Sequence, residues 1–242
     1  MKVCIEKNYN QLSKLAADFI EDQVIKKSNS VLGLATGSTP VGLYQELVRR
    51  YQQKKLDFSQ VVIFNLDEYI GLPANHPQSY RYFMKQHLFS KTNFKSNNVF
   101  IPSGQIKNFS QHCRWYENKI RSFGGIDIQI LGIGRNGHIG FNEPGSKFDS
   151  RTRVVSLDKT TIKDNSRFFD SFAAVPKRAI TMGLATIFSA KNIILLASGE
   201  NKKEILAKSL NGPASENLPA SILQSHHSVT VIADKEAGLL LV

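Results

Sequence analysis

The feature that most constrains the fold is the recurrence of short apolar runs rich in β-branched residues. A run of this kind, with apolar residues at nearly every position, is typical of a strand buried on both faces rather than of a half-exposed one. Strands of this kind are predicted at 31–35, 61–66, 127–131, 153–157, 192–197 and 229–233.

Helical patterns fill the intervals between these runs. One apolar stripe at helical spacing extends from Leu12 to Ile20, and a second from Val41 to Tyr51. Further helices are predicted around 80–88, 111–121, 160–169 and 202–210. Alternating strands and helices predict an α/β fold whose mostly parallel sheet is covered by helices on both faces. We expect one domain, 1–242, with its ligand bound beyond the carboxyl ends of the strands.

Charge and cysteine content narrow the class of protein. The net charge is +11, but the basic residues are spread along the chain and form no block typical of a nucleic-acid-binding arm. We therefore interpret them as a solvated surface and expect neither a nucleic-acid nor a membrane partner. Cys4 and Cys113 are far apart and suggest neither a disulfide framework nor a metal site. Together with an N-terminus that meets charge too early for a signal peptide, this favours a cytoplasmic location.

The first candidate segment is Thr36-Gly37-Ser38-Thr39-Pro40, which follows a predicted strand and precedes a helical pattern. Thr39 suits the N-cap position and Pro40 the first helical position. Free backbone N–H groups and hydroxyls at such a junction favour an anion. No Gly-Lys-Ser/Thr follows, so the segment is not a nucleotide-binding P-loop. The residues alone leave open an anion site or an ordinary helix start.

The second candidate is the acidic pair Asp67-Glu68, at the end of a predicted buried strand. Burial disfavours the charged form of a carboxyl group and so makes its carboxylate a better base. A strand-end acid that caps the next turn is the alternative interpretation.

The third candidate is the glycine-rich loop from Gly132 to Pro144. Gly132, Gly134 and Gly137 match the dinucleotide fingerprint G-x-G-x-x-G, but glycine and proline further on break the helix which that fingerprint requires. The loop instead places His138, a proton shuttle near neutral pH, five residues before Glu143.

Two basic residues form a weaker fourth candidate. Arg167 follows a predicted helix, and Lys202 opens the helical pattern after the run at 192–197. Both side chains can supply the positive charge that phosphate oxygens require. Without the other segments, both residues would be interpreted as ordinary basic residues of the surface.

In this order, the segments resemble the glucosamine-6-phosphate deaminase family over essentially the whole chain. The resemblance rests on residues 36–40, 64–72, 137–144, 150–153 and 165–169. It implies a Rossmann-like three-layer fold of the ribose-phosphate-isomerase kind, with no metal and no organic cofactor. It also implies a hydrolase that converts glucosamine 6-phosphate into fructose 6-phosphate and ammonia in amino-sugar catabolism.

The resemblance further implies a role for each position. Asp67 would move the proton from C2 to C1, and His138 would open the sugar ring with support from Asn136 and Glu143. The predicted phosphate ligands are Thr36, Gly37, Ser38, Thr39, Arg167 and Lys202.

Asn136 departs from a pattern of the family, in which many members carry Asp at this position. We expect Asn136 to orient the site rather than to ionise. The chain also ends soon after its last predicted strand, whereas allosteric members continue further. We therefore expect hyperbolic kinetics, and a monomer or a small homo-oligomer.

Two other functions share related folds. A 6-phosphogluconolactonase needs an activated water but no base at C2, so Asp67-Glu68 and the Phe-Asn-Glu-Pro sequence after the glycine-rich loop favour the deaminase. A sugar-phosphate-sensing domain of a transcription regulator is expected to follow a helix-turn-helix. The first strand is predicted to begin near Lys2, which leaves no room for such a domain in this sequence.

Overall fold

The computed structural model describes residues 1–241 and contains ten strands. Their bounds are Lys2–Glu6 (β1), Val31–Leu34 (β2), Val62–Asn65 (β3), Asp67–Tyr69 (β4), Val99–Phe100 (β5), Ile128–Gly132 (β6), Arg153–Ser156 (β7), Arg178–Thr181 (β8), Asn192–Ala197 (β9) and Val229–Asp234 (β10). Every predicted apolar run overlaps one of them, and β6 and β10 each extend one residue further than predicted.

Seven α-helices connect these strands, besides short 3₁₀ turns. Their bounds are Tyr9–Lys26 (α1), Val41–Gln52 (α2), Tyr80–His87 (α3), Phe109–Ser122 (α4), Lys159–Ser166 (α5), Leu184–Phe188 (α6) and Lys203–Asn211 (α7). Six of them lie where helical patterns were predicted, and α6, only five residues long, was not predicted. No helix among residues 1–241 combines the length and the apolar character needed to cross a membrane.

The main sheet has seven strands in the order β1-β10-β9-β6-β2-β3-β5. All six neighbouring pairs are parallel, which confirms the predicted fold class. The chain proceeds from β2 outward to β3, but from β6 in the opposite direction to β9. The carboxyl ends of β2 and β6 therefore form the topological switch point at which ligands bind in open α/β sheets.

Alternating side chains of the main sheet fill two separate cores. Leu32, Ile63 and Ile130 pack with apolar residues of α1 and α2 on one face. Val62, Leu131 and Leu195 pack with residues of α4, α6 and α7 on the other face. Because both faces are covered, the central strands are apolar at nearly every position, which is why these runs were recognisable in the sequence.

The prediction for 153–157 was wrong in one respect. This segment contains β7, but β7 is an edge strand of a separate antiparallel sheet with the order β4-β8-β7. Its residues are half-buried or exposed rather than buried on both faces. The two-valine run at Val154–Val155 resembles a buried strand because the small core beside Phe141 and Leu157 partly covers it.

The expected start of α2 was also wrong. The helix begins at Val41, Pro40 occupies the cap position, and no side chain of that residue caps it. The tyrosine Tyr9 of α1 does so instead, because its hydroxyl accepts from the Gly42 N–H at 2.7 Å and donates to the Thr39 carbonyl at 2.9 Å. Thr39 therefore remains in the loop before the helix.

Candidate active site

A cavity of about 360 Å³ opens at the switch point of the main sheet. Its wall is built by the segments that directly follow β2, β3, β6 and β9, together with residues from α5 and the chain after it. The predicted site residues on its wall are Thr36, Gly37, Ser38, Thr39, Asp67, His138, Arg167 and Lys202. The other two, Asn136 and Glu143, do not line it.

Asp67 is the buried acid of the cavity. It is the first residue of β4, pairs with Thr181 of β8, and is only 5% exposed. Burial raises the pKa of its carboxyl group well above the usual range, and the neighbouring Glu68 raises it further. A carboxylate with so little solvation holds a proton more tightly than a surface carboxylate does, so the geometry provides a stronger base.

Aromatic rings account for much of the dryness around Asp67. Tyr80 and Phe141 both line the cavity, and their rings stack with centroids 5.7 Å apart. Tyr69 follows on the same face of β4 as Asp67, and its ring packs against both of the others. Tyr69, Tyr80 and Phe141 thus form an aromatic wall beside the strand that carries Asp67.

His138 faces the same cavity, with Glu143 next to its ring and Asn136 bonded to its backbone. Its Nδ1 lies 3.3 Å from Glu143 Oε2, and its backbone N–H donates to Asn136 Oδ1 at 3.2 Å. The amide of Asn136 also donates to Glu143 Oε2 at 2.8 Å. The site therefore presents His138 to the cavity and keeps the two supporting residues behind it.

The charge of Glu143 is set by these contacts. Burial by itself would raise its pKa, but the His138 imidazole, the Thr161 hydroxyl and the Asn136 amide outweigh burial and lower the pKa to about 2. Glu143 is then ionised at neutral pH and places its negative charge 3.3 Å from the imidazole Nδ1.

Two glycines of the loop leave room for these side chains. A Cβ at Gly134 would lie within 2.4 Å of the His138 ring, so only glycine permits the ring to fold back against the loop. Gly140 has φ +57°, and a Cβ there would lie 3.0 Å from Thr181 Oγ1 and 3.4 Å from an Asp67 oxygen. Of the three glycines that match the dinucleotide fingerprint, Gly134 thus makes room for the histidine ring, and residues 133–152 contain no helix.

Three basic side chains, Arg135, Arg167 and Lys202, also line the cavity. The Nζ of Lys202 donates to the Ile133 carbonyl at 2.8 Å, which holds this lysine over the loop after β6. Burial lowers the pKa of Lys202, and Arg135 and Arg167 lower it further, while Asp164 raises it. Arg167 is exposed at the end of α5, where its guanidinium stacks on the Phe168 ring.

The loop before α2 lines the same cavity. Gly37 has φ +104°, which turns the chain sharply after β2. Within residues 1–241, no backbone carbonyl accepts from the N–H groups of Gly37, Ser38 or Thr39. Three free N–H groups, hydroxyls and nearby cations form a site suited to a phosphate group.

Several wall residues were not predicted from the sequence. Tyr80 and Phe141 lie in patterns that indicated only a helix and a loop motif, and Thr161 and Ser198 carry no local signal. The sequence did suggest that Glu68 belongs with Asp67, but the Glu68 side chain points away from the cavity to the start of α3.

A family model described as glucosamine-6-phosphate isomerases/6-phosphogluconolactonase matches residues 6–232. This match covers nearly the entire chain. The protein belongs to this family. Within the family, a glucosamine-6-phosphate deaminase of Clostridium novyi (strain NT) is 54% identical over 238 residues, which cover 98% of this chain and 99% of that relative.

Solved structures of the family superpose on this fold. A monomeric glucosamine-6-phosphate deaminase matches with a TM-score of 0.97 and 48% identity, covering 99% of this chain and 100% of that one. A 6-phosphogluconolactonase of Trypanosoma cruzi matches with a TM-score of 0.80 but only 22% identity, covering 99% of this chain and 96% of the other. The second likeness establishes the shared fold and carries no argument about activity.

Proposed function

We propose that this protein is a glucosamine-6-phosphate deaminase, which converts glucosamine 6-phosphate and water into fructose 6-phosphate and ammonia. The observation that carries the proposal is a single cavity whose wall holds a buried carboxyl group, an imidazole, two basic side chains and a loop with free N–H groups. The close identity to named deaminases supports the same choice of substrate.

The proposed reaction uses the histidine first and the buried acid second. His138 takes the proton from O1 of the closed sugar and gives one to O5, which opens the ring to the aldehyde. Asp67 then removes the proton from C2 and returns a proton to C1, while the amino group gives up one proton and O1 takes one up. C1 becomes a primary alcohol and C2 an imine. Water adds to that imine, and ammonia leaves to give the ketose.

The charges in the site agree with these steps. The ionised Glu143 stabilises the imidazolium that forms while His138 holds the proton. The raised pKa of Asp67 makes its carboxylate a better match for a weakly acidic C–H group. Lys202, Arg167 and the loop at 36–39 hold the phosphate and so fix C1 and C2 near the two proton carriers.

The decisive assay measures both products together. Purified protein is incubated with glucosamine 6-phosphate without added nucleotide, and ammonia and fructose 6-phosphate are determined in the same samples. Equal release of the two products supports the proposal. If neither product is released and 6-phosphogluconolactone is hydrolysed instead, the protein belongs to the lactonase branch of the family. Binding of sugar phosphates without turnover of either substrate would indicate a sensing function.

The substitution Asn136→Asp is expected to shift the pH–rate profile to higher pH. The amide now donates to Glu143 at 2.8 Å, whereas a carboxylate there would add negative charge beside the imidazole. His138 would then keep its proton to higher pH. The profile of kcat/KM is measured for both proteins between pH 5 and 10, and an unchanged profile would contradict an orienting role for the amide.

The assembly and kinetics of the protein are also part of the proposal. We infer that it acts as a monomer or a small homo-oligomer in the cytoplasm, and the monomeric deaminase of similar structure supports a monomer. Substrate curves are expected to be hyperbolic and unaffected by N-acetylglucosamine 6-phosphate. Sigmoidal curves that this compound straightens would contradict the expectation.

A further inference from the structure

Glu68 is a buried acid to which the proposed reaction gives no role. It is only 4% exposed and follows Asp67 directly on β4, with its side chain on the opposite side of the strand. A buried carboxylate is costly to the fold unless it is well satisfied. Its contacts therefore indicate what it does.

All of these contacts are backbone N–H groups. Oε1 of Glu68 accepts from the N–H of Tyr69 and from that of Tyr80, each at 2.9 Å. Oε2 accepts from the N–H of Arg81, also at 2.9 Å. The N–H groups of Tyr80 and Arg81 are the first two of α3, which a helix cannot satisfy itself. Glu68 thus joins the start of α3 to the strand that carries Asp67.

The residue fixed most directly by this junction is Tyr80. It is the first residue of α3, it lines the cavity, and its hydroxyl interacts with those of Tyr69 and Thr36. Its ring completes the aromatic wall beside Asp67 through the stack on Phe141. A shift of the first turn of α3 would therefore open that wall to water.

We propose that Glu68 is a positioning residue that fastens α3 to β4 and thereby holds the Tyr80 ring against the Asp67 site. The kinetic part of the test rests on the proposed function. The position of Tyr80 and the low solvent exposure of Asp67 are properties of the folded protein alone. Glu68 acts through Tyr80 and Asp67, and it does not face the cavity.

The competing explanation is that Glu68 affects Asp67 only through its charge. The charged and titratable groups around both acids therefore have to be compared. Asp67 faces the phenols of Tyr44 on α2, Tyr80 on α3 and Tyr116 on α4, and burial raises the pKa of all three. Glu68 faces Arg81 of α3; burial raises the pKa of Glu68, and its three N–H donors and Arg81 oppose that rise. The test must therefore separate the effect of removing the Glu68 charge from the effect of shortening the Glu68 side chain.

Three variants make that separation. Glu68→Gln removes the charge and keeps the length, whereas Glu68→Asp keeps the charge but is one methylene too short to bridge β4 and α3. Ser79→Ala is the matched control, because the Ser79 hydroxyl caps the same helix through Tyr82 N at 3.1 Å without any bond to β4. The melting temperature of each variant shows that it is folded.

Two readouts are taken for each variant. In the assay with glucosamine 6-phosphate, Glu68→Asp is expected to lower kcat at least about tenfold, because misplacing a catalytic group by about 1 Å costs up to about 100-fold. Glu68→Gln is also expected to lower kcat, because its amide nitrogen cannot accept from the N–H groups at the start of α3. KM should change less than about threefold, because Glu68 itself bonds to none of the predicted phosphate ligands. Titration of the Asp67 carboxyl by ¹³C NMR, assigned with Asp67→Asn, should show a lower midpoint in both variants. Ser79→Ala should match the parent in both readouts.

Each result supports or overturns the proposal. Parental kcat and an unshifted Asp67 titration in Glu68→Asp would leave charge as the cause and overturn positioning. Equal losses of kcat in Ser79→Ala and Glu68→Gln would show that Glu68 acts only as a cap of α3. That result would also overturn the proposal. If the parent protein releases no fructose 6-phosphate, the proposed function fails by itself. The Asp67 titration in Glu68→Asp, which keeps the charge, then decides the Glu68 proposal, with a lower midpoint supporting it and an unchanged one overturning it.

Discussion

The substitution Asp67→Asn is expected to lower kcat with glucosamine 6-phosphate by about 10³-fold, within the range that a general base contributes. The amide keeps the shape of the side chain but cannot accept the C2 proton. Initial rates of fructose 6-phosphate release give kcat. KM should change little, because the proposed phosphate ligands are other residues of the cavity wall and stay unchanged.

The same substitution has an opposite effect on stability. Because burial raises the folded-state pKa of Asp67, its ionised form is disfavoured in the folded protein, and this cost is present at pH values above the ordinary carboxyl range. Asparagine carries no charge and removes the cost at neutral pH. The melting temperature of the variant should therefore equal or exceed that of the parent, so that loss of activity cannot be attributed to unfolding.

Activity should also fall on acidification because Asp67 must be ionised to act as a base. Its raised pKa places the acid limb of kcat/KM above the ordinary carboxyl value of 3.8.

Asp22→Asn is the matched control for Asp67→Asn, since Asp22 is exposed on α1 and undergoes the same chemical change. Activity of Asp67→Asn within tenfold of the parent would exclude Asp67 as the base.

The five central strands of the main sheet were predictable because they are buried on both faces and therefore carry a nearly continuous apolar signal. The antiparallel sheet was not, because β4 reads Asp-Glu-Tyr and β8 reads Arg-Ala-Ile-Thr, and neither forms an apolar run. The position of β4 also depends on contacts with β8, more than a hundred residues later in the chain.

The site residues predicted from the sequence are those that lie directly after strands of the main sheet or in a glycine-rich loop. Asp67 and His138 belong to this group, and the structure places both on one cavity. Tyr80 had no such signal, because it meets Asp67 only through tertiary packing. The bond between Glu68 and the start of α3 joins residues twelve positions apart and follows no local capping pattern.

The substitution Lys202→Met is expected to lower kcat/KM for glucosamine 6-phosphate by about 100-fold, equivalent to about 3 kcal/mol for the loss of a buried cation from a charged pair. Methionine keeps the length of the side chain and removes its charge. The half-buried position of Lys202 makes the charge count for more than on the surface. The measurement is kcat/KM together with inhibition by inorganic phosphate, whose inhibition constant should rise in parallel.

Lys202 also contacts the loop that carries His138, so the experiment must separate two effects. Its Nζ donates to the Ile133 carbonyl at 2.8 Å, and loss of that bond can disturb the loop without any change in phosphate affinity. Lys203→Met is the control, because Lys203 pairs with Glu200 and does not line the cavity. A fall in kcat with unchanged phosphate inhibition would assign Lys202 to loop support. A rise in both KM and the phosphate inhibition constant, absent from the control, would assign it to the phosphate, since binding of that group is what its charge affects.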